Sequence, residues 1–448
     1  MKRELLVLTD DRLGSSMAGP AIRAWEIARQ LAPHLEVTLA STQPIGEIGS
    51  EQFHVLSILP REREILELAE SHRAILAGGL IFSHFPALLR SLKNFLILDL
   101  YDPLLLEDLE LLKEKKNLGA FIYDDHHFGM ERQMMRADYM ICASERQKDY
   151  WLGRLCALGR LHPRNYREDP SFERLIGCVP FGLPGEPPLQ GSPRLRGVIP
   201  GIEKNDILFL WGGGIWEWLD PLTPIRAAAE LIDGHPEIKL VFLAGRSPNP
   251  TTPEMAMSRA AKDLAQELGL LDKNVFFYEH WVPYSERGSF LLEADAGFIA
   301  HQNQIETRFS FRTRVLDCLW AGLPILTTEG DAMADLVERK KLGVCCRYRD
   351  QGDWKGAFEK MASDESFRRD CRERVLVARA DYRWDKSVAP LLERLRSFER
   401  PHRGGRPVSW LHLEPWSYLL KAVLSLKEEG VSGFFERVDR FIARRGDA

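Results

Sequence analysis

The chain has 448 residues, more than one hydrophobic core usually organises, so its length predicts two domains and a remainder. With 45% hydrophobic and 28% charged residues it is not disordered by composition. A formal net charge of -5 provides no basic field for a nucleic-acid backbone, and no finger, zipper or RNA-recognition signature is present, so nucleic acid is not an expected partner.

The chain opens MKRELLVLTDDRLG, where the apolar run 5–8 is too short for a secretory signal and stops at two acids. The longest weakly polar stretch, 74–89, contains Ser83, His84 and Pro86 and does not read as a spanning helix. A cytoplasmic protein is expected, with any membrane contact peripheral. The seven cysteines are scattered without a Cys-x-x-Cys pair, which suits reduced thiols.

Short, continuously apolar runs then alternate with segments of helical period, the pattern of parallel strands covered on both faces. Strands are predicted near 4–9, 36–40, 80–84, 94–100, 139–144 and 176–181. The stretch 185–204 is rich in Pro and Gly and reads as a linker. A second series follows, with strands near 206–211, 239–244, 275–278, 297–301, 324–328 and 344–346 and helices such as 222–232. Helical period continues through 354–361, 366–378 and 384–398. The prediction is an α/β protein of two Rossmann-like, doubly wound domains facing a cleft. Residues 1–184 form the first, 205–382 the second and 383–400 a closing helix, with a helical tail over 401–448. In that tail Trp416, Leu419, Leu420 and Val423, then Phe434, Val438, Phe441 and Ile442, recur at helical spacing beside arginines, which suits either an anionic bilayer or packing on the protein.

Chemistry concentrates at predicted strand ends. In SFRTRVLDCLWAGLPILTTEGD, Ser310 is placed to N-cap a helix running to Trp320, Gly322 to end it and Pro324 to open a strand. WGGGIWEWLDP sets Gly212, Gly213 and Gly214 directly after a strand, where glycine permits close backbone approach to phosphate; a tight turn under Trp216 and Trp218 is the alternative. LDLYDP places Asp99, Tyr101 and Asp102 at the end of another strand, facing the cleft unless Asp102 caps a helix. YDDHHFG offers His126 and His127 as sugar contacts more readily than as metal ligands, because adjacent residues rarely converge on one ion.

The segment 310–331 resembles the donor-binding core of the family-four retaining glycosyltransferases (group 1 glycosyltransferases), which have the glycosyltransferase B-type fold. That family carries two Glu separated by seven residues. Here Phe311 and the strand entry Ala321 to Pro324 fit the motif, Asp317 occupies the second acid position and Phe309 the first. GPAIRAWEIARQLA (19–32), WGGGIWEWLDP (211–221) and LLEADAGFIA (291–300) resemble further family segments in order and spacing, so the resemblance covers roughly residues 1–400.

The resemblance implies retaining transfer from a nucleotide sugar, bound mainly by the second domain, to a glycan or lipid-linked acceptor at the first, in bacterial surface polysaccharide synthesis. The donor is assigned to Gly212, Gly213, Gly214, Phe311, Arg312, Thr313 and Asp317, and the acceptor side to Gly19, Arg23, Tyr101 and His126; the strand-end acids Asp99 and Asp102, with Glu306, are the catalytic candidates. The Arg and Lys that the family carries near the glycine loop are missing, so positive charge is sought in Arg246, Arg312 or Arg314, with Arg312 favoured in the first helical turn. Glu306 is either the carboxylate that replaces the first acid or an exposed loop acid. No cofactor and no divalent metal are expected. A nucleotide-sugar 2-epimerase or a non-catalytic scaffold of the same fold are the alternatives; a nicotinamide dehydrogenase is disfavoured because TDDRLGSSMAG lacks the compact G-x-G-x-x-G spacing.

Overall fold

The apolar runs form two wholly parallel sheets in the computed structural model, which describes residues 3–58, 61–83, 85–245, 255–403, 422–427 and 430–445. The chain divides into two compact units: Met1–Gly14, Gly19–Val179 and Val388–Ala448 in one, Ser15–Ala18 and Pro180–Ser387 in the other.

In the first unit the strands are β1 (Arg3–Thr9), β2 (Val37–Ser41), β3 (His54–Ser57), β4 (His72–Gly78), β5 (Phe95–Asp99), β6 (Tyr139–Cys142) and β7 (Ile176–Cys178), in the spatial order 3-2-1-4-5-6-7. β2 and β5 are buried at every position, as strands covered by helices on both faces must be, while the edge strand β3 is exposed at both ends. Leu6, Leu8, Ile75, Leu96, Leu98 and Met140 face a core closed by Met134, Trp151 and Leu155.

Two of the strand assignments change here. The predicted strand at 80–84 is the 3₁₀ turn Ile81–Ser83, because Gly79 turns the chain at φ 62° and the extended run lies earlier, in β4; His84 lies outside the described residues. β3 was not expected at all, since HVLS carries no continuous apolar run.

The second unit has β8 (Ile207–Trp211), β9 (Ile238–Phe242), β10 (Val275–Phe277), β11 (Ala296–Ile299), β12 (Ile325–Thr328) and β13 (Gly343–Cys346), ordered 10-9-8-11-12-13. Counted within the unit this is 3-2-1-4-5-6, the Rossmann order, whose direction reverses between β8 and β11. The Pro- and Gly-rich stretch 185–204 belongs to this unit. Its backbone is held by the buried Glu293, which accepts hydrogen bonds from the amides of Arg194, Leu195 and Arg196 at 2.5, 3.0 and 2.8 Å.

The helices Gln351–Ser363, Glu365–Ala378 and Trp384–Leu395 follow the predicted helical segments. In the tail, 422–427 and Gly430–Arg445 are helical, with Val423, Leu426, Val431 and Phe435 exposed; Trp416, Leu419 and Leu420 lie outside the described residues. Among the described residues no helix is long and apolar enough to cross a membrane.

Candidate functional site

In an open parallel sheet the ligand crevice lies beyond the carboxyl ends of the strands where the order reverses, which in the second unit means the ends of β8 and β11. β8 runs directly into Gly212, Gly213 and Gly214. Gly213 has a φ of 117°, a conformation that side-chain-bearing residues rarely adopt, and a Cβ there would meet Arg314 Nε at 3.2 Å. A Cβ on Gly212 would meet open space.

Arg314 fixes the carbonyl side of this loop. Its Nε donates to the Gly212 carbonyl at 2.9 Å and its Nη2 to the Gly214 carbonyl, with the guanidinium 5.7 Å above the Trp211 ring. Burial, reinforced by the neighbouring Arg312 charge, pushes its pKa down to about 9. The amide side is unspent: the N–H groups of Gly212, Gly213 and Gly214 have no hydrogen-bond partner among the described residues. Downstream, the Trp216 and Trp218 rings stack 5.3 Å apart, and Gln302 Nε2 donates to the Glu217 and Leu219 carbonyls, tying the loop to the end of β11. The void lined by Gly212, Arg314 and Asp317 is only about 10 Å³, room for one water at most.

The sequence favours Arg312 for an anion, but the structure places Arg314 at the loop and buries Arg312. The difference is where the helix begins. Ser310 does not cap it; the preceding helix Ile305–Phe309 uses that hydroxyl, which donates to the Thr307 carbonyl at 3.2 Å. The helix then runs Thr313–Ala321 with Arg312 as its N-cap and Gly322, at φ 72°, as its left-handed C-cap. Thr313 is its first residue and Phe311, half-buried, precedes the cap.

Arg312 turns inward to Glu306, to which Nη1 and Nη2 donate at 3.0 and 2.8 Å. Glu306 is only 1% exposed and is therefore a buried ion-pair partner, not a loop acid in solvent. Asp331 completes the cluster: its Oδ2 lies 3.7 Å from Arg312 Nε and 3.8 Å from His301 Nδ1, while its Oδ1 caps the helix Ala332–Lys340 through the amides of Met333 and Ala334. His301, at the end of β11, holds Thr328 Oγ1 at 2.9 Å through Nδ1, and its buried Nε2 has no hydrogen-bond partner among the described residues. Burial and the Arg312 and Arg314 charges keep this imidazole neutral by lowering its pKa well below the usual value. His301 and Asp331 carry no motif of their own; only the Gly-Asp step after a predicted strand hints at the cap.

Burial raises the Asp331 carboxyl from 3.8 to about 6, outweighing the Arg312 charge and the Met333 and Ala334 amides that lower it, with the Glu306 charge adding to the rise. An acid whose pKa is raised on folding stabilises the fold while protonated, and that contribution is lost as pH climbs from about 4 through about 6. Asp331→Asn keeps the capping oxygen and removes the titration. Denaturation curves between pH 4 and 7.5 should show the variant gaining on the wild type with rising pH, by up to about 3 kcal/mol; parallel curves would mean that Asp331 ionises as it does in the unfolded chain.

Asp317 lies one turn beyond Arg314 but pairs elsewhere: Arg287 Nε donates to its Oδ1 at 3.0 Å, with the guanidinium held over the rings of Tyr284 and Trp320 at 3.7 and 4.4 Å. Its Oδ2 accepts no hydrogen bond among the described residues. Arg246 lies outside the described residues.

In the first unit the sequence candidates divide. Gly19 opens the helix Gly19–Leu31, on which the buried Arg23 donates to both Asp99 oxygens at 2.5 and 2.9 Å and to the Val179 carbonyl at 2.8 Å. Asp99 is thus held by Arg23 as a structural pair. The Arg23 guanidinium lies 4.9 Å over the Tyr101 ring, and burial together with Asp102 raises the Tyr101 hydroxyl well above its usual pKa. Asp102 does not cap the helix Leu104–Leu112, whose N-cap is Pro103. His126 sits within the helix Lys116–Arg136 and spends Nδ1 on Asp108 at 2.8 Å. Among the described residues no three His, Cys, Asp or Glu side chains converge as a metal set.

No protein-family model matches the chain. It is 26% identical over 178 residues to a D-inositol 3-phosphate glycosyltransferase of Corynebacterium urealyticum, 40% of either chain. It is 29% identical over 189 residues to the protein of that name from Corynebacterium jeikeium, 42% of either chain. The matched regions thus span about two fifths of these curated relatives. Among solved structures, sucrose-phosphate synthase from Thermosynechococcus elongatus aligns with a TM-score of 0.60 at 14% identity, over 88% of this chain and 98% of that one. WaaG, a glycosyltransferase involved in lipopolysaccharide biosynthesis, gives 0.58 at 14%, over 87% and 98%. Anabaena HepE in complex with UDP and glucose gives 0.64 at 14%, over 88% and 100%. The chain has the glycosyltransferase B-type fold, and the resemblance to the group 1 glycosyltransferases carried by its sequence is borne out.

Proposed function

We propose that the chain is a glycosyltransferase that takes a sugar from a nucleotide-sugar donor, with the donor's diphosphate on the amides of Gly212, Gly213 and Gly214. The observation that carries this reading is the glycine loop itself: carbonyls tied back by Arg314, amides unpaired, at the strand-order reversal of the second unit. Cleavage of a glycosyl phosphate leaves negative charge on the diphosphate, and preorganised N–H donors stabilise that charge without reorganising. The amino end of the helix Thr313–Ala321, whose Arg314 touches the loop, adds its dipole in the same sense. Asp317 Oδ2 is the acceptor offered to a ribose hydroxyl.

Retention of anomeric configuration, a glycan or lipid-linked acceptor met by the first unit near Tyr101, Asp102 and His126, and a role in surface polysaccharide synthesis complete the reading. Its support is the family resemblance and the lipopolysaccharide role named for WaaG. A lipid-linked acceptor would be met at the inner face of the cytoplasmic membrane, where exposed Val423, Leu426, Val431 and Phe435 supply an apolar tail surface.

UDP heads the donor panel because HepE was solved with it. In thermal unfolding, the matching nucleoside diphosphate at about 100 times its Kd should add roughly 2.7 kcal/mol. Transfer from the matched nucleotide sugar should persist in excess EDTA, and loss restored by manganese would overturn metal independence. A second reading has one observation in its favour: Phe309 stands at the first acid position and Glu306 is committed to Arg312. A scaffold of that kind binds nucleotide yet turns no donor over. Absence of binding across the panel would overturn both.

A further inference from the structure

The opposite end of the first unit's sheet, where β4 and β5 begin, carries a feature that sugar transfer does not use. A solvent-open cavity of about 330 Å³ lies there, lined by Arg73, Lys93 and Arg400 against a single acid, Glu70, with Phe95 and Phe398 as an apolar wall. The chain as a whole is acidic, so this cationic surplus is local and not part of a general field.

The cavity is shaped rather than merely charged. Asn94 Nδ2 donates to the Ala69 and His72 carbonyls, both at 2.8 Å, and so fixes the backbone around it. Phe398 stands edge-on to Phe95 at 5.7 Å and carries the Arg73 guanidinium 4.0 Å over its face. It does so at φ 49°, a left-handed conformation unfavourable for a bulky residue. Arg400 donates through Nη2 to the Lys93 carbonyl, and its Nε lies 3.7 Å from the buried Asp138, which Arg403 also contacts. By contrast, Arg73 and Lys93 meet no carboxylate or carbonyl among the described residues. The pocket thus presents one planar and one compact cation beside an aromatic face.

We propose that this cavity binds a phosphate ester, the phosphate between Arg73 and Lys93 and the carbon portion against Phe398. A guanidinium aligned on a ring donates in a fork that matches phosphate oxygens, and an ammonium completes the charge. The ester is either a soluble metabolite or the headgroup of a lipid, and two probes of the full-length protein separate these sources. The first is calorimetric titration with glycerol 3-phosphate. The second is co-sedimentation with phosphatidylcholine vesicles with and without phosphatidic acid.

Saturable binding is expected in the first for a soluble ligand, and in the second alone for a headgroup. Because both cations are exposed, Arg73→Gln and Lys93→Gln should fold normally, and each should weaken binding at least about 10-fold. Gly213→Val should leave it unchanged, which distinguishes this cavity from the glycine loop of the proposed donor site. Failure of both probes to bind, or equal binding by the Arg73→Gln/Lys93→Gln double variant, overturns the proposal.

Discussion

Arg312→Met should destabilise the second unit by about 3–5 kcal/mol, the cost of stripping the counter-ion from a buried carboxylate. Met preserves most of the side-chain volume, so the loss is electrostatic. Glu306 would be left at 1% exposure with Asp331, fully buried, close by, and with no guanidinium hydrogen-bonded to either among the described residues. For a unit of this size the corresponding fall in Tm is roughly 6–20 °C. Adding Glu306→Gln to Arg312→Met should recover part of the loss, because the stranded charge is removed with its partner. A single-variant cost below about 1 kcal/mol would mean that water reaches the pair and that it acts as a surface ion pair.

Gly213→Val should reduce nucleotide affinity by about 100-fold or more while leaving the unit folded. Val cannot take φ 117° without strain, and its Cβ would meet Arg314 Nε at 3.2 Å, so the loop must rotate and turn its amides away. Losing two charge-assisted hydrogen bonds to phosphate at about 1.5–3 kcal/mol each gives that range. Isothermal titration with the nucleotide selected from the panel measures it, and circular dichroism checks the fold. Unchanged affinity would move the diphosphate away from the glycine loop and remove the central support of the proposed function.

The strands were legible where burial on both faces demands an unbroken apolar run, as in Phe95–Asp99 and Ile207–Trp211. The exposed edge strand His54–Ser57 makes no such demand and left no pattern to read. The glycine loop could be read because Gly213 needs a backbone state open to few other residues. The choice of Arg312 over Arg314 failed because it depends on where the helix starts: with Arg312 outside the first turn as N-cap, Arg314 faces the loop. The cluster of His301, Glu306, Arg312 and Asp331 draws its members from two stretches, 301–312 after β11 and Asp331 after β12, and spacing along the chain does not encode such a meeting.

The first unit is assembled from stretches that precede and follow the second unit in the chain, which has a consequence for how it is made. Arg394 stacks 4.9 Å over Phe95, and Arg403 Nε reaches Asp138 at 3.0 Å, so the start of β5 and the buried carboxylate before β6 are completed by residues synthesised after the second unit. At about 5–20 residues per second, translation of Pro180–Ser387 alone takes roughly 10–40 s. Through that interval the nascent first unit must hold Asp138 with Arg136 as its nearest cation, at 3.5 Å, and by its end the second unit, continuous apart from Ser15–Ala18, has all its strands made. The amino-terminal half of the protein is therefore the last to be finished, and ribosome-bound chains stalled before residue 388 should be the ones that chaperones and proteases find open.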